Sequence, residues 1–272
     1  MGRIYTLVNQ KGGVGKTTTA ISLGAYLAQH NLRVLLVDLD PQANATSCLG
    51  IDKNNVSGGT YEAIISISPA DSLILHNPRY KLSLLPSSPA LSGAEIELVS
   101  EENRESRLFN AIKPFIDRYD YILIDCPPSL GLLTLNGLVS ARNGVVIPVQ
   151  CEYLALEGLG QLSRTLNRVR SALFPGLVIR GVVLTMFDGR TNLSADVVKE
   201  VQRFFPNQVF RTVIPRSVRL AEAPSYGQPI SVYAPSSIGA QAYASLTSEL
   251  LEGDGLRLQS LEISQGQTTA VT

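Results

Sequence analysis

Residues 8–24 read VNQKGGVGKTTTAISLG, with Gly12, Gly13 and Gly15 set between Lys11 and Lys16 ahead of an apolar-periodic segment. Backbone N–H groups converge on an anion only in conformations and at distances that side chains block, so a glycine cluster before a helix is chemistry for phosphate. The positive end of the helix dipole favours the same charge. Lys16 then places a cation between β- and γ-phosphates, and the Thr17 hydroxyl is a ligand for Mg²⁺. Two further segments supply acids. YDYILIDCPPS ends an apolar run in Asp125, the position from which a carboxylate holds a water on Mg²⁺. VLLVDLDPQ brings Asp38 and Asp40 to the same site. Unpartnered buried acids are costly, so both suit metal-shell or attacking-water roles, with Asp40 turned toward a γ-phosphate. A helix-cap or turn role is the alternative for Asp38. Lys11 is the odd residue. It sits on the outer lip of the loop, poorly placed for a nucleotide in its own loop, and its plain alternative is a solvated surface lysine.

The loop departs from the standard Walker A pattern at one place, where Gln10 stands instead of glycine and the motif becomes K-G-G-x-G-K-T. Apolar runs and helical periodicity position these motifs. Strands are expected at 4–8, 34–38, 82–86, 121–125, 144–149, 178–185 and 209–214, and helices at 16–29, 93–99, 104–116, 132–139, 156–172, 195–204 and 238–251. Continuous Val/Ile/Leu strands separated by helices predict an α/β fold, a mostly parallel twisted sheet covered on both faces. Ligands of such sheets bind beyond the carboxyl ends of the strands, where the polar motifs fall. Residues 69–92, with four prolines around one short strand, read as a surface excursion from a single domain.

The chain has 272 residues, of which 44% are hydrophobic and 17% charged, enough to bury one large core. No apolar run reaches the roughly 18 to 20 residues that cross a bilayer, and no basic-then-apolar leader opens the sequence. MGRIYT fits the loose myristoylation pattern, but residues 4–8 read as a buried strand, which argues against acylation. Three separated cysteines and two histidines exclude a zinc or cluster framework and fit buried, reduced thiols in a cytosolic protein. The 23 basic and 23 acidic residues cancel, yet residues 160–220 carry ten Arg/Lys against Asp188, Asp196 and Glu200. Such an excess is the footprint of a polyanion-binding face or, equally, of an ordinary solvated helix surface. Residues 1–251 are expected to form the domain, and the small, polar residues 252–272 a flexible tail.

KGGVGKTT, VDLDPQANAT, ILIDCPPSLG and TMFDGRTNLS…IPRSVRLAEAPSYGQPI, in that order, resemble the ParA/Soj partition ATPases, P-loop NTPases of the deviant Walker A class. The resemblance runs from Arg3 to about Leu251. It implies that ATP, ADP and Mg²⁺ are bound by Lys11, Gly12, Gly13, Val14, Gly15, Lys16, Thr17 and Thr18, with the adenine near Met186 and Pro215. It makes Asp40 the catalytic position of switch I, Asp125 the Walker B acid, and residues 127–131 switch II. Thr17 ligates Mg²⁺, with Asp125 and Asp40 acting on it through water. Lys11 matches the signature lysine that reaches the phosphates of the partner subunit in an ATP-bound homodimer. Arg190 and Arg219 match residues that bind double-stranded DNA without reading its sequence. The resemblance further implies slow ATP hydrolysis to ADP, stimulated by a ParB-like DNA-binding partner or cargo adaptor, in the cytoplasm on the nucleoid. Nothing ahead of the first strand supplies a helix-turn-helix, so operator repression is not expected. Positioning of another cargo, such as a carboxysome-like body or chemoreceptor array, is the alternative. A MinD-like membrane ATPase needs a basic amphipathic C-terminal helix, and only Arg257 is basic after Leu251. A nitrogenase-iron-protein-like reductase needs a second cysteine beside Cys126. A small-molecule kinase or synthetase needs a substrate pocket that no residues define.

Overall fold

In the run YILID, successive side chains point to opposite faces, and both sets are apolar. Tyr121 and Leu123 enter one core cluster, Ile122 and Ile124 another. A strand buried on both sides needs helices on both sides, and the computed structural model, which describes residues 2–152 and 155–256, has that architecture. Its strands are β1 (Arg3–Leu7), β2 (Val34–Asp38), β3 (Leu75–Asn77), β4 (Leu82–Leu85), β5 (Tyr121–Asp125), β6 (Gly144–Gln150), β7 (Ile179–Phe187) and β8 (Val209–Pro215). They form one sheet in the order β3-β4-β2-β5-β1-β6-β7-β8. The helices are α1 (Lys16–Gln29), α2 (Asn44–Cys48), α3 (Thr60–Ile64), α4 (Leu91–Glu97), α5 (Arg107–Ile112) and α6 (Leu132–Ser140). They continue as α7 (Ala155–Ala172), α8 (Asn192–Phe204), α9 (Val218–Glu222), α10 (Ile230–Tyr233) and α11 (Ile238–Gly253). One core lies between the sheet and α1 with α11, a second under α4, α5 and α6, and a third between β6, β7 and α7, α8. No helix among the described residues is long and apolar enough to cross a membrane.

Every expected strand is present, two with the expected bounds and the others with ends moved by one or two residues. Three differences have physical causes. The excursion at 69–92 contains an edge strand, β3, that pairs antiparallel to β4. The single helix expected at 104–116 is three segments: a 3₁₀ turn (Arg104–Ser106), α5, and a further 3₁₀ segment (Lys113–Arg118). Pro114 has no N–H to return to the carbonyl of Asn110, so α5 ends at Ile112. Finally, the fold runs past Leu251. α11 continues to Gly253, and the Asp254 side chain, 3% exposed, is buried at the amino-terminal ends of the strands. It accepts from the Tyr5 and Tyr121 hydroxyls, each at 2.7 Å, and from Arg180 Nε at 3.0 Å, while Arg3 Nε lies 3.6 Å away. The expectation of a tail from 252 is corrected to that extent; its remainder, 257–272, lies outside the described residues.

Candidate functional site

Parallel register brings the motifs together. Leu7 pairs with Asp125 across β1 and β5, and Asp38 pairs with Asp125 across β2 and β5. The glycine loop leaving β1 therefore emerges beside two carboxylates at the carboxyl edge of the sheet. In the loop, Gly13 (φ 74°) and Gly15 (φ 88°) take left-handed conformations that glycine adopts without strain, and Gly15 starts α1 directly. Three side-chain contacts, two of them buried, fix the loop from below. Thr185 Oγ1 donates to the Val14 carbonyl at 2.8 Å, Asn9 Oδ1 accepts from the Lys11 amide at 3.1 Å, and Asn9 Nδ2 donates to the Pro148 carbonyl at 2.7 Å.

Lys16, only 7% exposed, folds over the loop and donates from Nζ to the Lys11 carbonyl at 3.3 Å. Burial lowers its pKa, against the pull of the Asp125 charge. Thr17 Oγ1 donates to Asp125 Oδ2 at 2.6 Å. Asp125 is fully buried, and its Oδ1 has no hydrogen-bond partner among the described residues. Burial, with the Asp38 charge beside it, raises the Asp125 pKa; Thr17 and Lys16 act the other way. Such a site is poised for a cation and an anion together. Thr18 follows in the first turn of α1, half-buried, and lines a small cleft with Cys48 and Leu220.

The two acids of VDLD divide their roles. Asp38 Oδ2 accepts from the Thr46 amide (2.8 Å) and hydroxyl (2.7 Å), and Oδ1 from the Asp40 amide (3.3 Å). It is fully buried, which pushes its carboxyl up to about 6 despite those bonds. Both oxygens are committed to the turn and to α2, so the metal-shell or water role expected of Asp38 is corrected to the turn-and-cap alternative. Asp40 is 6% exposed; its Oδ1 accepts from the Gln42 amide at 2.9 Å, and its carbonyl is anchored by Ser87 Oγ at 2.8 Å. That leaves Oδ2 without a protein partner among the described residues. Residues 127–131 lie in the loop between β5 and α6, exposed at 128–130 and held at Ser129 by the Thr134 hydroxyl.

Lys11 does not join the Lys16 cluster. Its Nζ lies 3.2 Å from Glu152 Oε2, just past β6. Met186 and Pro215 come together at neighbouring strand ends, since Phe187 pairs with Pro215, and Met186 takes a left-handed conformation (φ 52°) rare for its type. Arg190 grips Asp188 with two nitrogens at 2.8 and 2.7 Å and holds that carboxyl well below its usual range. Arg219, on α9, pairs with Glu222 at 2.9 Å. The basic excess of residues 160–220 is drained by acids outside it: Arg180 meets Asp254, Arg211 meets Glu249 and Glu252, Arg216 meets Glu152, and Arg219 meets Glu222. The segment is therefore less basic in space than in sequence. Thr185, Asn9 and Glu152 were not legible as site residues. Each acts on the loop from a different strand end, and no motif marks them.

Residues 2–179 match the pattern of the AAA domain family. The chromosome partitioning protein ParA of Myxococcus xanthus is 52% identical over 93% of this chain and 89% of its own length. The sporulation initiation inhibitor protein Soj of Bacillus subtilis is 52% identical over 92% of this chain and 98% of its own. Among solved structures, cobyrinic acid a,c-diamide synthase from Mycobacterium smegmatis with bound ADP and magnesium superposes with a TM-score of 0.83 at 37% identity, covering 94% of this chain and 96% of that one. Loop, acids, sheet order and end-to-end similarity agree: the chain belongs to the ParA/Soj family of partition ATPases.

Proposed function

We propose that this ATPase is a nucleotide-gated dimer that binds double-stranded DNA without sequence preference, lets go on hydrolysis, and so segregates a chromosome or plasmid on the nucleoid. One observation carries the reading: buried Lys16 and Asp125, with half-buried Thr17 between them, at the mouth of the glycine loop, in a chain similar to partition proteins along nearly its whole length. The loop amides and Lys16 hold the phosphates, with Thr18 beside them and the adenine toward Met186 and Pro215. Thr17 and Asp125 fit Mg²⁺, because a hydroxyl and a buried carboxylate oxygen that lacks a partner are hard-cation donors. Mg²⁺ there neutralises phosphate charge. Asp40, whose second oxygen has no protein partner among the described residues, would act on the ion through water and align the water that attacks the γ-phosphate, giving ADP and phosphate. No arginine finger stands in the motifs, so turnover is slow until a ParB-like partner speeds it.

Gly12 is compatible with the dimer. Its φ is not positive, and a Cβ built on it meets nothing within 4 Å, so neither backbone strain nor packing within the chain asks for glycine there. Close approach of phosphate to the loop does, and a facing subunit would as well, with Lys11 crossing to the neighbour's phosphates. Dimerisation also doubles the Arg190 and Arg219 contacts to DNA phosphates, and affinity climbs steeply with each contact. The synthetase alternative finds less support. A cleft of about 760 Å³ is lined from residues 63–71 and 102–115, and no residue of the glycine loop borders it.

Sedimentation velocity tests the proposal with wild type and Asp40→Ala. ATP is expected to convert wild-type monomers transiently, and the variant stably, into dimers that co-sediment with DNA of arbitrary sequence. A single protomer that holds ATP without dimerising would end the reading.

A further inference from the structure

Lys11 serves a dimer only by leaving its own protomer, yet its ammonium is engaged at home. Nζ lies 3.2 Å from Glu152 Oε2, in a pair whose side chains are 35% and 43% exposed. The other oxygen of Glu152 takes Gln150 Nε2 and lies 3.7 Å from the Arg216 guanidinium. One carboxylate at the end of β6 is thus shared by two cations with different locations. Lys11 belongs to the glycine loop; Arg216 lies three residues before Arg219, in the turn that follows β8.

We propose that Glu152 is a positioning residue that restrains Lys11 within its own subunit and passes to Arg216 when a second ATP-loaded protomer draws the lysine away. The inference rests on the dimer reading above and deepens it. A triphosphate concentrates more negative charge than one carboxylate and wins the ammonium once it comes within reach. Before that, the ion pair competes with dimerisation. An exchange of partners also gives the segment carrying Arg216 and Arg219 a contact that differs between monomer and dimer, which links nucleotide-driven association to the DNA-facing turn.

A pair this exposed is worth only roughly two- to fivefold in an equilibrium constant. Two subunits each release one lysine, so the effect enters the dimer equilibrium squared, about four- to 25-fold. The reverse change follows from Arg216. Without it, Glu152 has one cation left to hold, and Lys11 is released less readily.

The test is sedimentation equilibrium in low salt with a non-hydrolysable ATP analogue, without DNA, on wild type, E152Q, R216Q and K11A. E152Q is expected to dimerise about four- to 25-fold more tightly than wild type, R216Q more weakly, and the E152Q advantage is expected to shrink as salt screens the pair. Opposite signs from two neighbouring substitutions, with a salt-dependent gap, are what a general disturbance of the site would not produce. Equal dimer constants for wild type and E152Q, or an advantage that survives high salt unchanged, overturn the restraint while leaving the dimer reading intact. If wild type stays monomeric, or K11A dimerises as well as wild type, the dimer reading itself fails and the restraint falls with it.

Discussion

Asp254→Ala is the sharpest perturbation of the fold, because it lies in a segment that composition assigns to a tail. The substitution removes the acceptor shared by two tyrosine hydroxyls and two guanidiniums. Arg3 and Arg180, with side chains 33% and 19% exposed, recover water in part. The Tyr5 and Tyr121 side chains, 2% and 1% exposed, do not. Each stranded hydroxyl costs about 1–3 kcal/mol, and loss of one partner from a buried ion pair costs about 3–5 kcal/mol in all. For a domain of this size, about 2–4 °C of Tm accompanies each kcal/mol, so a fall of roughly 6–20 °C is expected. Thermal denaturation followed by circular dichroism reads it. A chain ended after Leu251 falls at least as far. Alkaline pH gives a second readout. Burial, then the Asp254 carboxylate, raises the pKa of both tyrosines, so their contribution is complete below a pH of about 10 and is lost above it. The alkaline decline is therefore shallower in Asp254→Ala. ATP affinity well below Tm is unchanged, since the cluster sits at the opposite edge of the sheet from the loop. A Tm within about 2 °C of wild type would show that these contacts anchor nothing.

Lys16→Ala is expected to abolish nucleotide binding in calorimetry; retained affinity would remove the loop from the site. Thr185→Val keeps the shape of the side chain and strands the buried Val14 carbonyl, which predicts about tenfold weaker ATP binding; unchanged affinity would mean that the loop holds its form alone. Arg219→Glu is expected to leave ATP-dependent dimers intact and weaken DNA binding by about tenfold or more in gel shifts at fixed salt. Equal binding would make α9 an ordinary solvated face.

What the sequence discloses and what it hides follow from how far each interaction reaches along the chain. β5 is legible because burial on both faces writes five apolar or terminal residues in a row, and α1 because its glycine start and apolar period are local. β3 is not, since LHN at a sheet edge exposes its side chains and is specified by β4 alone. α2, α9 and α10 span four or five residues, too few for a period to repeat. At the site, Lys16, Thr17 and Asp125 are signalled by motifs whose chemistry is tied to fixed positions on a strand, loop and helix. Asp40 is singled out by its place just outside the strand and by the resemblance, but the engagement of Asp38 is not signalled, because nothing local shows that Thr46 folds back onto it. Charge is the most deceptive quantity. An excess summed over a linear window describes a surface only when the opposing acids also lie in that window. Here Arg211 finds its acids 38 and 41 residues on, Arg180 finds Asp254 74 residues on, and Lys11 finds Glu152 141 residues on. The same folding that neutralises most of the basic segment leaves Lys11 paired at the lip of the loop. On the proposed dimer reading, that charge is exchangeable rather than spare.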